Sequence, residues 1–179
     1  MSNYVVFSAS LHDIPDIIGL SDVYLSKNYL KSGQMLSMIN GLNCTVKCAK
    51  DVANKEVVGF ATAHFLNARN SKVRNGVLKT VVVSPEHRNK GVAYNLSVEC
   101  IDFLRENNAS HIYSTAHKGM NGVYLLEALG FSYMNELQDY WKDYSITHNC
   151  DCSFCGLPPC RCSALLYGCS IVKEGGITA

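Results

Sequence analysis

The hydrophobic pattern changes period several times along the chain, and each change marks an element. Tyr4, Val5, Val6 and Phe7 form an apolar run that predicts a strand over residues 4–8. Asp13 offers a side-chain oxygen for a helix N-cap, and Pro15 suits a first helical turn. Ile14, Ile17, Ile18 and Tyr24 follow at helical spacing. Lys31-Ser32-Gly33 interrupts this helix, and a short second helix is expected over 34–39, ending at Gly41. From 44 to 50 the period drops to two, with Cys44, Val46 and Cys48 alternating against Thr45, Lys47 and Ala49. That is the pattern of a half-buried strand. Residues 57–66 and 77–84 predict two more strands, joined by a polar, basic loop over 67–76.

The helical period then returns. Gly91 opens a helix with Ala93, Leu96, Cys100, Phe103 and Leu104 on one stripe, stopping near Asn107-Asn108. Residues 111–115 read as a short buried strand, and 123–129 as a helix that Gly130 ends in a left-handed cap. Strands over 131–137 and 164–172 complete the chain, with a cysteine-rich segment between them. The order β-α-α-β-β-β-α-β-α-β, insert, β predicts an α/β fold around a mixed sheet. The 179 residues suit a single domain with an insert at 148–163.

Composition narrows the classes. Nearly half of the residues are hydrophobic and the net charge is +1, so no global field draws the chain to nucleic acid or anionic lipid. No apolar run approaches the roughly 18 residues a membrane helix needs. The opening MSNYVVFSAS has no secretory pattern, and a cytoplasmic protein is expected.

The stretch Val81-Val82-Val83-Ser84-Pro85-Glu86-His87-Arg88-Asn89-Lys90-Gly91-Val92-Ala93 runs from a strand through a tight turn into a helix. A helix start has unpaired N–H groups and the positive end of the macrodipole. Gly91 allows close backbone approach, and Arg88 and Lys90 add charge, so the stretch predicts a diphosphate cradle. It is neither a Walker loop nor a dinucleotide fingerprint.

Arg88-Asn89-Lys90-Gly91-Val92-Ala93 resembles the R/Q-x-x-G-x-G/A signature of the GNAT acyltransferases, and the preceding Val-Val-Val-Ser-Pro resembles the strand before it. Leu126-Glu127-Ala128-Leu129-Gly130-Phe131 resembles the family's second signature, with Gly130 lying 39 residues after Gly91. Leu11-His12-Asp13-Ile14-Pro15 resembles the usual start of the first helix. The likeness covers residues 4–140 and the last strand. It implies a mostly antiparallel, splayed sheet flanked by helices, and transfer of an acetyl group from acetyl-CoA to a primary amine by direct attack. It also implies that backbone groups of Val81 and Val83 pair with the pantetheine arm. The N–H groups of Arg88, Asn89, Lys90, Gly91, Val92 and Ala93 would hold the pyrophosphate, and the sheet would open after the strand ending at Ser84. A strand N–H near Val83 would stabilise the developing oxyanion.

The catalytic pair departs from the family pattern. The family's tyrosine position is Leu126, and the one tyrosine on this helix, Tyr124, stands two residues earlier and about 200° round. The family's asparagine position falls on Gly119, with Asn121 two residues away. Tyr124 is therefore the candidate acid, and Asn121 a candidate cofactor contact. For a base, His64 and His117 both stand where they could face the opened sheet, and a neutral imidazole suits the task. Proton transfer through ordered water is the remaining option.

Six of the nine cysteines lie in the last thirty residues. Cys152-x-x-Cys155-Gly156 has zinc-knuckle spacing, and Cys160-x-Cys162 after Pro158-Pro159 supplies two more thiols. Four thiolates make a closed tetrahedral zinc site, which is structural. His148 and Cys150 are alternative donors, and an iron–sulfur cluster shares the spacing. Cys44, Cys48 and Cys100 read as small core residues. A second reading keeps the fold as a non-catalytic module that docks a protein or nucleic-acid partner through the cysteine knob. The basic loop residues Arg69, Lys72 and Arg74 give thin support for nucleic acid, and the near-neutral charge argues against it. The amine acceptor and the oligomeric state are not legible.

Overall fold

The computed structural model describes residues 3–66 and 73–171. Seven strands form one sheet in the order β1-β2-β3-β4-β5-β7-β6. They are β1 (Tyr4–Ser8), β2 (Cys44–Asp51), β3 (Val57–Phe65), β4 (Arg74–Val83), β5 (Ala109–His117), β6 (Ser132–Leu137) and β7 (Ala164–Ser170). Only β4 and β5 pair in parallel; the other neighbours are antiparallel. The helices are α1 (Ile14–Tyr24), α2 (Ser32–Ile39), α3 (Val92–Glu106), α4 (Gly122–Ala128) and α5 (Lys142–His148).

Two cores sandwich the sheet. On one face α3 presents Leu96, Cys100 and Leu104, all fully buried, against Ala61, Leu78 and Ile112. A Cβ on Gly76 would stand 2.7 Å from Leu104, so the small residue lets α3 lie close on β4. On the other face α1 and α2 bury Ile17 and Met35 against Val46, Cys48, Phe60 and Val82. Each fully buried aliphatic side chain stabilises by about 1.5–3 kcal/mol. Burial raises the Cys48 and Cys100 thiols to about 12, as inert core residues.

Most expected elements are present, with some boundaries moved. Strand β4 begins at Arg74 rather than 77, and β5 runs nine residues instead of five. Asp13 does not cap α1 with its side chain. Its carboxylate turns back to accept from the Ser10 N–H and hydroxyl at 2.8 and 2.7 Å, and pairs with Lys50 at 2.9 Å. The Ser10 bonds and the ion pair with Lys50 on β2 occupy the carboxylate in place of the α1 cap. Of the expected basic loop, Arg69 and Lys72 lie outside the described residues. Arg74 is buried, donates to Asn107 O at 2.6 Å and Asn43 Oδ1 at 3.0 Å, and stacks on Phe65, so it is a structural residue. Helix α5 was not expected and lies between β6 and the insert. Its buried residue is Ser145 and its aliphatic Ile146 is exposed, so it shows no amphipathic stripe. No helix of the described residues is long and apolar enough to cross a membrane.

Candidate active site

The opening in the sheet follows from two irregularities in β4. Pairing with β5 ends at Leu78↔Ser114. Opposite this point the register with β3 slips, with Thr62 facing Thr80 and Ala63 facing Leu78, so Lys79 is a bulge residue. A bulge bends its strand and increases the local twist, and beyond it β4 stays on β3 while β5 leaves. The gap thus opens at Leu78, within the strand, rather than after Ser84.

The open edge of β4 is polar. The Ser84 N–H donates to Val58 O on β3. Backbone groups alternate along a strand, so Val83 and Val81 turn theirs towards the gap. The Val83 carbonyl accepts from Arg88 Nε at 3.0 Å, which leaves its N–H and both groups of Val81 at the edge. Arg88 is thereby folded back, with its guanidinium 5.8 Å from the Tyr24 ring.

From that edge the chain enters a short 3-10 turn over Pro85–His87, then Asn89 (φ 57) and Gly91 (φ 79). Gly91 is the N-cap of α3, and no side chain caps the helix start. The Lys90 side chain is exposed beside it. His87 anchors the turn, its imidazole bridging Ser84 Oγ at 3.0 Å and Asp51 at 3.2 Å. The fifteen-residue α3 therefore aims unpaired N–H groups and its positive end at the turn. Val92 and Ala93 form its first residues, packed on the core. The predicted cradle residues lie in one continuous strand–turn–helix segment, but the Arg88 N–H closes the turn, donating to Pro85 O at 3.2 Å, and cannot join the cradle as expected.

The predicted catalytic residues are less tightly grouped. Tyr124 lies on α4 with 70% of its surface exposed, while Leu126 is buried. Asn121 is the N-cap of α4. The helix ends in paired bonds, Gly130 N–H to Glu127 O and Phe131 N–H to Leu126 O, with Gly130 at φ 82. This is the left-handed cap with its apolar contact, and it ties Leu126 to Phe131 in the core.

His64 lies on β3 opposite Val77, two pairs from the bulge on the side where β4 still pairs with β5. Burial first, and then the charge of Lys79, lower its pKa, so the imidazole is neutral at pH 7. Lys79 is exposed overall, but its ammonium stands 5.9 Å from the Tyr144 ring and desolvation lowers its pKa also. His117 ends β5 on the far side of the gap. Its ring stacks on Phe154 at 4.2 Å and lies near-parallel to Trp141 at 5.7 Å. Both ring nitrogens are buried with no hydrogen-bond partner, an arrangement that costs about 1–3 kcal/mol per unsatisfied group.

Helix α5 and the start of the insert supply the walls around this end. Tyr144 donates to Tyr29 O at 2.6 Å and their rings lie 5.2 Å apart. Asn28 Nδ2 reaches Asn149 O at 3.5 Å. The connection between α1 and α2 and the helix α5 are thereby pinned to each other. Sequence reasoning missed Tyr29, Tyr144 and Trp141, since isolated aromatics in loops carry no periodic signal.

Beyond α5 the four predicted cysteines converge. The sulfurs of Cys152, Cys155, Cys160 and Cys162 all lie within 4.8 Å of one another, and could hold a metal ion. Cys152 and Gly156 exchange backbone bonds of 2.7 and 2.9 Å, and Gly156 takes φ 78. Backbone N–H groups of Phe154 and Arg161 point at Cys152 and Cys155 sulfurs, each at 3.4 Å. Tetrahedral metal–sulfur bonds of about 2.3 Å put sulfurs about 3.8 Å apart, and the observed close pairs are 3.3–3.6 Å. The donor set fits. Burial raises all three later thiols. At Cys155 the Arg161 N–H and the neighbouring thiols overcome this and bring it to about 7, whereas Cys160 rises to about 11. His148 instead stacks on Tyr144 at 4.0 Å and bonds its carbonyl, and Cys150 is buried outside the cluster. Neither stands in the cluster.

The fold is shared with several solved structures. The fold matches Arabidopsis thaliana NAA60 in complex with a bisubstrate analogue, at TM-score 0.72 and 15% identity over 93% of this chain and 97% of that one. It matches the ribosomal-protein-S18-alanine N-acetyltransferase of Escherichia coli at TM-score 0.70 and 15% identity, over 98% and 99%. The NatC complex bound to Gag peptide and CoA gives TM-score 0.72 and 17% identity, over 95% and 99%. No curated protein matches the sequence. The acetyltransferase (GNAT) family profile matches residues 35–131, and the chain belongs to that family.

Proposed function

We propose that the protein is an N-acetyltransferase that moves an acetyl group from acetyl-CoA to a primary amine in a ternary complex. The observation that carries this reading is the continuous polar edge from Val81 and Val83 through Gly91 to the uncapped start of α3. The pantetheine arm would pair with Val81 and the Val83 N–H, and the N–H groups from Asn89 to Ala93 would take the pyrophosphate. Acetyl-CoA supplies an activated carbonyl: the amine nitrogen bonds to it, and the carbon–sulfur bond breaks to release the CoA thiol.

The chain's own residues handle the proton. The attacking amine must lose its proton, and His64 is neutral and partly desolvated on β3, so it can take one. His117 is the second candidate, on the opposite strand. Tyr124, so exposed, is poorly placed as a dedicated acid. The insert at 148–163 would bind one zinc ion through Cys152, Cys155, Cys160 and Cys162, and closure by four thiolates assigns it a structural role. A soluble, cytoplasmic enzyme is the setting we propose.

The neighbours named with peptide or ribosomal-protein acceptors support a peptide or protein amine as the acceptor class. The test is thiol release from acetyl-CoA with an amine and peptide panel, beside calorimetry of acetyl-CoA binding. Release with an acceptor supports the enzyme. Tight binding without release from any acceptor would leave the docking module, a reading that the buried Leu126 in the tyrosine position favours.

A further inference from the structure

The thiol cluster lies in the chain segment that walls the open end of the gap, and its connections lead to both sides of that wall. Phe154 is carried between Cys152 and Cys155, and its ring covers one face of His117 at 4.2 Å. Trp141, the N-cap of α5, lies near-parallel to the same ring at 5.7 Å. Cys160 donates its N–H to Ser145 Oγ at 2.9 Å, and Ser145 is buried in α5. The next link is Tyr144, bonded to Tyr29 in the α1–α2 connection. The Tyr140 N–H donates to Cys162 O at 3.1 Å, fixing the approach to α5. Three of the four cysteines or their loop therefore hold side chains at the gap, although the loop has little apolar burial of its own. Phe154 and Leu157 are exposed by 57% and 77%. A short loop with so little core needs another source of rigidity, and a bound metal supplies it.

We propose that a zinc ion bound by Cys152, Cys155, Cys160 and Cys162 positions the acceptor wall of the gap, clamping His117 against Phe154, near Trp141. Phe154 is the positioning residue, acting through His117. The proposal rests on the reading of the gap as an acetyl-transfer site only for the use to which the wall is put. The clamp itself is independent of it.

The experiment uses the full chain as purified, the same chain stripped with chelator, and the variants Phe154→Ala and Phe154→Tyr. Zinc is measured by elemental analysis, and the His117 ring protons by nuclear magnetic resonance. A ring stacked on an aromatic face has strongly upfield-shifted protons. The expected result is one zinc per chain and upfield His117 signals, which relax to ordinary positions on stripping and return when zinc is restored. Phe154→Ala keeps its zinc but loses the shift, and Phe154→Tyr retains both. Acetyl-CoA affinity changes by less than twofold throughout, because the cradle lies on other elements. Purified protein with no zinc, or His117 signals indifferent to stripping in a folded chain, overturns the proposal. If stripping unfolds the chain, Phe154→Ala decides, since it leaves all four thiols in place. Failure to bind acetyl-CoA would refute the transferase reading and leave the zinc and His117 signals unchanged.

Discussion

Gly91 allows the cradle to be tested against stability, because the two costs separate. Its φ of 79 lies in the left-handed region, where an L-residue pays about 1–2 kcal/mol. A Cβ there would meet only the Tyr4 hydroxyl, at 3.4 Å, which is ordinary contact. Gly91→Ala should therefore fold, with Tm lowered by about 2–4 °C for each kcal/mol in a chain of this size. Gly91→Glu carries the same backbone cost and adds a carboxylate at the helix start. A like charge about 5 Å from a diphosphate, at an effective dielectric near 20, costs about 3 kcal/mol. That is roughly two orders of magnitude in Kd before any steric term. Calorimetry with acetyl-CoA and thermal denaturation read the two effects separately. The expected result is similar melting for the two variants, a modest loss of binding in Ala, and loss of about a hundredfold or more in Glu. A Glu variant with wild-type affinity and normal melting would refute the cradle.

Replacing Tyr124 with Phe should change turnover by less than about threefold, because so exposed a hydroxyl is not held against a reacting atom; a fall of 10²-fold or more, with acetyl-CoA affinity unchanged, would make it the acid. Replacing Cys155 with Ser should release the metal and loosen β7, seen as faster amide exchange in Ala164–Ser170 with acetyl-CoA affinity retained; a variant holding a full zinc equivalent would remove Cys155 from the ligand set. The lowered pKa of His64 sets a pH dependence of stability. The folded form resists protonation, so its contribution is present above about 6.5, the unfolded value, and is lost as pH falls through the lowered folded value. His64→Gln should flatten the urea-midpoint profile between pH 7 and 5; an unchanged slope would show that His64 is solvated like the unfolded chain.

What the sequence disclosed depended on whether a feature was local. The Arg88–Ala93 turn, the Gly130 cap and the Cys152–Gly156 knuckle are each specified within a few residues by glycine placement and donor spacing. All three occur where expected. The bulge at Lys79 depends on how β3 and β4 register, and neither strand carries a mark of it, so the gap was expected six residues too late. Asp13 looked like a helix cap because its partner Lys50 is 37 residues away, on β2. Helix α5 lacks a stripe because only one residue of it is buried. Its Tyr144 and Trp141 acquire meaning only from Tyr29 and His117, which approach them through the fold.

The place of Leu126 then has a physical account. The residue four before Gly130 is fixed by the cap: the Phe131 N–H returns to the Leu126 carbonyl, and both side chains enter the core beside Ala116. An apolar side chain there adds burial that a tyrosine hydroxyl would oppose unless it met a partner. Placing the tyrosine two positions earlier turns it outward, and the helix then offers no fixed proton donor at that position. A departing thiolate needs one less than a departing alkoxide does, since a thiol has an ordinary pKa near 8.5. Water can return the proton after the carbon–sulfur bond has broken. In such an enzyme the demand for positioned chemistry falls on the acceptor nitrogen, which must be held unprotonated at the gap. The groups arranged around that end are His64, Lys79, His117 and the aromatic wall carried by α5 and the thiol loop.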